Sequence, residues 1–288
     1  MIPNREFTQR CRGSRSFFGR EPYAVASCGK GIMRRIALLF FVLLMLLSAA
    51  SSSVLAEPVV ICILDSGSNL PDAKGWNFVD NSDDLTDQAG HGTKIHALLQ
   101  QCAPEAEPYV LKCFASEAMR DGEAVVRALR AAAGEYGAAV IVISWTVTGE
   151  QQQLHDAIQY AYESDAILVA SAGNLSLSTR LGSLVYPAAW EKVIGVGGVN
   201  LDENGEPAAS LWYLASEAVY VCARGDYDGE RGSSFAAPRV AAVIAAYLGG
   251  APDASEDDVR RMLKKTALDF GEPGYDMIYG WGYIEAGV

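Results

Sequence analysis

Histidine is scarce in this chain of 288 residues: His91, His96 and His155 are all there is. Any chemistry that needs a base titrating near neutral pH has a correspondingly short list of candidates. Cysteine is sparse as well, with six residues and no Cys-x-x-Cys pair, which argues against a zinc site. No apolar run is long enough to span a bilayer, which takes about 20 residues; Ile36–Leu47, the most apolar stretch, stops at Ser48. Internal repeats and low-complexity tracts are absent, so solenoids and linker-rich assemblies are excluded. Positive charge is also short. The first 56 residues hold eight of the 23 Lys and Arg but only two of the 35 Asp and Glu, leaving residues 57–288 at 15 basic against 33 acidic, a formal charge of −18. Such a surface repels nucleic acid and anionic membrane and favours neutral or basic substrates; solubility alone is the plainer account of the same charge.

What is present begins with an export signal. Met33-Arg34-Arg35 opens a basic region, Ile36–Leu47 is apolar, and Val54-Leu55-Ala56 offers a small-residue cleavage site. That is the layout of a secretory signal peptide, with an uncleaved anchor as the other reading. Residues 1–32 read as an untranslated or disordered extension ahead of a start at Met33, 33–56 as the signal, and 57–288 as one domain with a sizeable core. The expectation is a secreted monomer without stable membrane association once the signal is removed.

Beyond residue 56, short apolar runs alternate with helical segments. Val59–Leu64, Tyr109–Cys113, Ala139–Ser144, Ala166–Ala172 and Val193–Val199 are β-branched-rich and apolar on consecutive positions, as strands covered on both faces are. Helices are expected over His91–Gln101, Glu123–Tyr136, Gln152–Ser164, Phe235–Leu248 and Glu256–Thr266, the last capped by Ser255. This alternation predicts an α/β fold with a doubly wound, mostly parallel sheet flanked by helices, in which working residues gather at the carboxyl ends of strands. Cys62, Cys113 and Cys222 sit in strand-like runs and are expected as buried thiols, while a Cys102–Cys113 disulfide stays open.

Asp65 follows the first strand in Asp65-Ser66-Gly67, where it reads as a turn residue or a functional carboxylate. His91, in Gly90-His91-Gly92-Thr93, is flanked by glycines that leave an imidazole uncovered, which makes it the best candidate base. His96 and His155 read as packing or surface residues. Ser234, in Gly232-Ser233-Ser234-Phe235-Ala236-Ala237-Pro238, stands where a helix begins, so it is either an N-cap or a hydroxyl facing unpaired N–H groups. Asn174, in Ser171-Ala172-Gly173-Asn174, is a turn residue or a donor to a developing oxyanion. An α/β-hydrolase elbow fails, because Ala236 stands where Gly is required and the order of acid, base and nucleophile is wrong.

Taken jointly, the order Asp65, His91, Asn174, Ser234 and the three local motifs resemble the subtilisin-like serine peptidases (subtilases), from Val59 to about Ala286. The closing segment Tyr279-Gly280-Trp281-Gly282-Tyr283-Ile284 is similar to that family's last segment. The resemblance implies a subtilisin-like catalytic domain over 57–288 that hydrolyses peptide bonds through an acyl-enzyme. It implies Asp65, His91 and Ser234 as the triad, and Asn174 as oxyanion donor. It also implies that Ser144, Trp145, Thr146, Ser171, Ala172 and Gly173 flank a protein or peptide substrate, with an apolar residue before the scissile bond. The alternative is a weak or inactive relative that binds peptides or processes one partner.

Four departures from the family pattern bear on this. Ser233 replaces the usual Thr, Arg239 stands where His is common, and Thr146 replaces a Gly in the substrate-edge segment. The stretch from His91 to Pro104 lacks the insertion that holds calcium in many relatives, so no cofactor is expected, with the acidic run Asp80–Asp87 the remaining place for a cation.

Overall fold

The strand Val60–Asp65 (β1) carries Ile61, Cys62, Ile63 and Leu64, and none of them exposes any surface. A run this apolar must be covered on both sides. The computed structural model, which describes residues 57–115 and 122–286, shows how. Ile61 and Ile63 join one apolar layer, and Cys62 and Leu64 join the other. The extension and the signal segment expected over 1–32 and 33–56 lie outside the described residues.

Seven strands form the parallel sheet, in the order β2 (Gly75–Asn77), β3 (Glu107–Lys112), β1, β4 (Val140–Ile143), β6 (Ile167–Ser171), β8 (Val193–Leu201), β10 (Val221–Arg224). A short antiparallel strand, β9 (Pro207–Ala208), pairs with the end of β8. Two small antiparallel pairs lie apart from this sheet, β5 (Val147–Thr148) with β7 (Val185–Tyr186), and β11 (Asp226–Tyr227) with β12 (Glu230–Arg231). The helices are α1 (His91–Cys102), α2 (Gly122–Gly134), α3 (Gln152–Glu163), α4 (Ala236–Gly250) and α5 (Glu256–Thr266). Buried residues of α2 and α3 complete one layer, and those of α1, α4 and α5 complete the other. This is the doubly wound α/β arrangement expected from the alternation of strands and helices.

Successive strands are added on opposite sides of β1: β3 and β2 on one, β4 and its followers on the other. The crevice at the carboxyl end of β1 is therefore the topological switch point, where such sheets place their ligands. Asp65 is the residue that ends β1 there.

Several boundaries differ from the sequence expectation for identifiable reasons. The helix expected to reach Tyr136 stops at Gly134, and the chain turns through Gly137 in the left-handed region at φ 59°. The helix expected from Phe235 begins with a 3₁₀ turn over Ser233–Phe235 before α4 proper. Strands β2 and β10 are too short to declare a periodicity. Ser255 caps α5 as expected, in a capping box with Asp258. All four described cysteines are free thiols, and Cys62, Cys113 and Cys222 are buried. Burial pushes the thiols of Cys62 and Cys222 up, which keeps them protonated and unreactive.

His96 is fully buried on α1, with Nδ1 2.9 Å from Ser68 Oγ, so it is a packing residue. Burial lowers its pKa, with the more distant charge of Asp72 opposing. The unfolded chain binds a proton below the ordinary value of 6.5 where the folded chain does not, so this contribution to stability is present above that pH and is lost as pH falls. Between about pH 7.5 and about pH 5, the thermal midpoint of the wild type is expected to drop further than that of His96→Leu. Parallel decreases in the two proteins would show that His96 is not the titrating group.

Candidate active site

Asp65 has no exposed surface, so its carboxylate needs partners inside the protein. Its Oδ1 accepts from the backbone N–H of Ser66 at 2.8 Å, from the Ser66 hydroxyl at 3.2 Å and from Nδ1 of His91 at 2.8 Å. The Ser66 hydroxyl in turn accepts from the N–H of Gly92 at 3.0 Å, tying the end of β1 to the start of α1. The approach is so close that a Cβ on residue 92 would lie 2.3 Å from Gly67 O and 3.1 Å from Asp65 Cβ, so only glycine fits. His91 is the first residue of α1, and its side chain keeps 14% of its surface open to solvent. The imidazole is thus fixed at Nδ1 while part of the side chain stays open to solvent.

The start of α1 takes no cap from Gly90. Asp87 does that work from outside the helix. Its Oδ1 accepts from the N–H groups of Ala89 and Gly90 at 3.1 and 2.9 Å, and its Oδ2 from the N–H and hydroxyl of Thr93 at 2.8 and 2.7 Å. Burial by itself would raise the Asp87 pKa, but the bonds from Thr93 and Gly90 outweigh it and hold the group below the usual carboxylate range. Asp87 is a positioning residue for His91. In the sequence it looked like one more acid in the run Asp80–Asp87. Asp84 of the same run accepts from the N–H of Thr86 at 2.9 Å. No group of three or more His, Cys, Asp or Glu side chains suited to a metal occurs among the described residues.

Ser234 arrives from the other side, in the 3₁₀ turn that leads into α4. No side chain caps α4, so the Ser234 hydroxyl is not a helix cap, and the positive end of the helix is directed at this turn. The helix is rich in alanine and its buried face lies against the sheet, with Pro238 in the first turn, where proline is tolerated. Ser144 Oγ donates to the Ser234 carbonyl at 2.9 Å, and Ser233 Oγ accepts from the Gly173 N–H at 3.1 Å. The second bond needs only a hydroxyl, so Ser serves at 233 as Thr would. Lys94 on α1 pairs with Glu230 and, at 4.0 Å, with Asp228, which ties α1 to the β11–β12 hairpin just ahead of Ser234. The ring of Phe235 lies 6.1 Å from that of His91.

Asn174 follows β6, and its Oδ1 accepts from the Ser233 N–H at 2.8 Å. With the oxygen so occupied, the amide nitrogen faces away from that bond. A Cβ on Gly232 would sit 2.9 Å from Ser234 Oγ and 3.3 Å from Asn174 Nδ2, so the hydroxyl and the amide border one small space. Tyr213 secures this arm: it forms a β-bridge with Asn174 and its hydroxyl donates to Asn200 Oδ1 at 2.8 Å. Thr179 Oγ1 donates to the Asn174 carbonyl at 2.7 Å. Neither helper carries a sequence signal, since each is an isolated polar residue in a loop.

The structure brings Asp65 against His91, and Ser234 against Asn174, at the carboxyl ends of β1, β4 and β6. It treats the other expected residues differently. Trp145 is 4% exposed and donates through Nε1 to Leu64 O at 2.8 Å, so its side chain belongs to the core. Ser171 and Ala172 are buried, and the Ser144 hydroxyl is occupied with Ser234. Thr146, just ahead of β5, is half-buried. Val185 and Leu214 pack where a Cβ on Gly173 would be, at 3.0 and 3.3 Å, so this wall is apolar. Arg239 is buried and reaches toward the Asp226 carbonyl at 3.4 Å, away from the catalytic candidates.

The sequence model of the subtilase family matches residues 57–282. Subtilisin DY of Bacillus licheniformis is 30% identical over 246 residues, covering 78% of this chain and 88% of the relative. Subtilisin Savinase of Lederbergia lenta is 27% identical, covering 79% and 89%. Among solved structures, fervidolysin from Fervidobacterium pennivorans superposes with a TM-score of 0.70 at 22% identity, over 80% of this chain and 42% of that one. A lanthipeptide protease gives 0.66 at 24% identity, over 79% and 85%.

Gly232 has an extended backbone at φ 174°, so alanine there is free of backbone strain and acts by its methyl alone. That methyl turns the Ser234 hydroxyl away. Gly232→Ala is expected to slow covalent labelling of Ser234 by a fluorophosphonate at least about tenfold, the equivalent of about 1.4 kcal/mol. The thermal midpoint should be unchanged. Equal labelling rates would mean that the space between Ser234 and Asn174 is wider than the structure shows.

Proposed function

Because the chain belongs to the subtilase family and is a serine-type endopeptidase, we propose that Asp65, His91 and Ser234 are its catalytic triad and Asn174 its oxyanion donor. The observation that carries this reading is the 2.8 Å bond between a fully buried Asp65 and a partly open His91. In the attack step His91 Nε2 accepts the Ser234 hydroxyl proton while Oγ bonds the peptide carbonyl carbon. Asp65 accepts from Nδ1–H throughout, which fixes the tautomer and stabilises the imidazolium. The negative charge that develops on the carbonyl oxygen is met by Asn174 Nδ2–H, the Ser234 N–H and the positive end of α4. His91 then returns its proton to the leaving amine. The acyl-serine is released by water, activated by the same imidazole.

The substrate is a protein or peptide whose acyl side lies along the backbone of Ser144–Thr146 and Ser171–Gly173, with an apolar residue before the scissile bond. Catalysis in this reading draws on these groups and needs no metal. The carboxylates of Asp84 and Asp87, in the acidic run, already serve nearby N–H groups, which disfavours a cation there. Export directed by residues 33–56, with release near Glu57, would place the monomeric enzyme outside the cell.

Ser234→Ala is expected to abolish peptide hydrolysis and fluorophosphonate labelling while leaving the fold intact, since no helix cap is lost. Labelling that persists without Ser234 rules the nucleophile out. Asn174→Ala should lower turnover by roughly 10²–10³ with little change in KM. Unchanged turnover would assign the oxyanion to other donors.

A further inference from the structure

Three loops, around residues 175–182, 209–215 and 271–279, together line a groove of about 910 Å³. Its walls are Leu175, Leu181, Leu211, Leu214, Met277 and Ile278. Four of these side chains are exposed: Leu181 at 66%, Leu211 at 86%, Met277 at 48% and Ile278 at 41%. Trp212, beside Leu211, is 60% exposed at the rim. Large apolar side chains clustered around one concavity signal a binding surface, and the volume matches what a peptide segment or ligand fills.

The groove is continuous with the site. Leu175 directly follows Asn174 and donates its N–H to the Trp212 carbonyl at 3.1 Å, and Leu214 donates to the Gly173 carbonyl at 3.1 Å. One wall of the groove is therefore the back of the loop that carries the oxyanion donor. Charge selects among occupants. Glu272 and Asp276 line one end of the groove, on a domain of formal charge −18. A second copy of this chain, or an anionic bilayer, would bring like charge; a basic polypeptide would not.

We infer that this groove is an auxiliary docking site for the substrate polypeptide, taking an apolar stretch flanked by Lys or Arg that lies outside the residues around the scissile bond. The inference rests on the peptidase reading. It adds that affinity for long substrates is set at the three loops, apart from the catalytic machinery. A short peptide that ends at the scissile bond makes no use of the groove.

Three kinds of substrate test it: a short peptide anilide, a peptide extended by a Leu- and Lys-containing tail, and the same peptide with a Gly-Ser tail of equal length. The tails are placed on either end in separate substrates. The Leu-Lys tail on one end is expected to lower KM about tenfold relative to Gly-Ser, about what burying one or two large apolar side chains supplies, with kcat alike. Leu211→Ser with Met277→Ser should erase that advantage and leave anilide hydrolysis unchanged. Both positions are exposed, and an unaltered thermal midpoint confirms the fold. Equal KM values for the two tails overturn the inference, as does an equal loss on the anilide, which would make the loops mere support for Asn174. A dimer in sedimentation that the double variant dissociates assigns the groove to a second copy instead. Binding to phosphatidylcholine vesicles that the double variant abolishes assigns it to a lipid surface. If even the anilide is not cleaved, the peptidase reading fails. Fluorescence anisotropy of the labelled Leu-Lys peptide on the Ser234→Ala protein then still decides the groove.

Discussion

The structure turns on a carboxylate with no access to water at the carboxyl end of β1. Burying Asp65 is unfavourable unless donors converge on it, and they come from two directions, Ser66 next in the chain and His91 from α1. For His91 to reach, α1 must start almost against β1, which excludes any side chain at Gly92 and leaves the Ser66 hydroxyl as the link. For α1 to start there, the chain entering it must be held, and Asp87 does so, Oδ1 accepting from Ala89 and Gly90 just ahead of the helix and Oδ2 from Thr93 in its first turn. The parallel sheet makes the arrangement possible, because the switch point beside β1 is the one place where two layers of helices diverge and leave a crevice.

The second half of the site obeys a different constraint, the closeness of α4 to the sheet. Alanine at 236, 237, 241, 242 and 245 lets the helix lie near β4, β6, β8 and β10. Its amino end is thereby held level with the carboxyl ends of those strands. The hydroxyls of Ser144 and Ser233 then tie the turn to the segments after β4 and β6. None of these bonds touches the Ser234 hydroxyl. They fix its backbone and leave the side chain to the cleft, while the Asn174 amide is oriented through its oxygen, so that donor and hydroxyl meet without bonding each other's supports.

The fold class and the reacting candidates were legible from sequence because each belongs to a local pattern: apolar runs for buried strands, glycine-flanked histidine for close approach, small residues and proline for a helix start. Residues that act at a distance were not. Asp87 sits in an acidic run and gives no sign that all its acceptor positions serve the start of α1. Tyr213 holds Asn174 across a gap of 39 positions in the chain, a pairing that no periodicity encodes. Trp145 is a different case: it lies in a segment expected to face substrate, and its indole donates to Leu64 O in the core. Reading a segment as substrate-facing identifies its backbone and leaves open which side chains turn inward.

That distinction bears on how selectivity arises in this molecule. The side chains of Ser144, Trp145, Ser171 and Ala172 are buried or tied to the scaffold, so in the proposed cleft these segments would offer a substrate main chain, which reads shape and direction but few side-chain identities. Val185 and Leu214 give the wall under Gly173 an apolar character without a charge to discriminate by. Discrimination by large apolar contacts must then come from surface that the scaffold has not already claimed. The described residues expose such side chains chiefly on the loops around Leu181, Leu211 and Met277, none of which carries a reacting group. The proposed site and groove would then place chemistry and preference on separate parts of the fold. In the reading proposed, changes in those loops would alter what the enzyme holds without disturbing the buried carboxylate that orients its base.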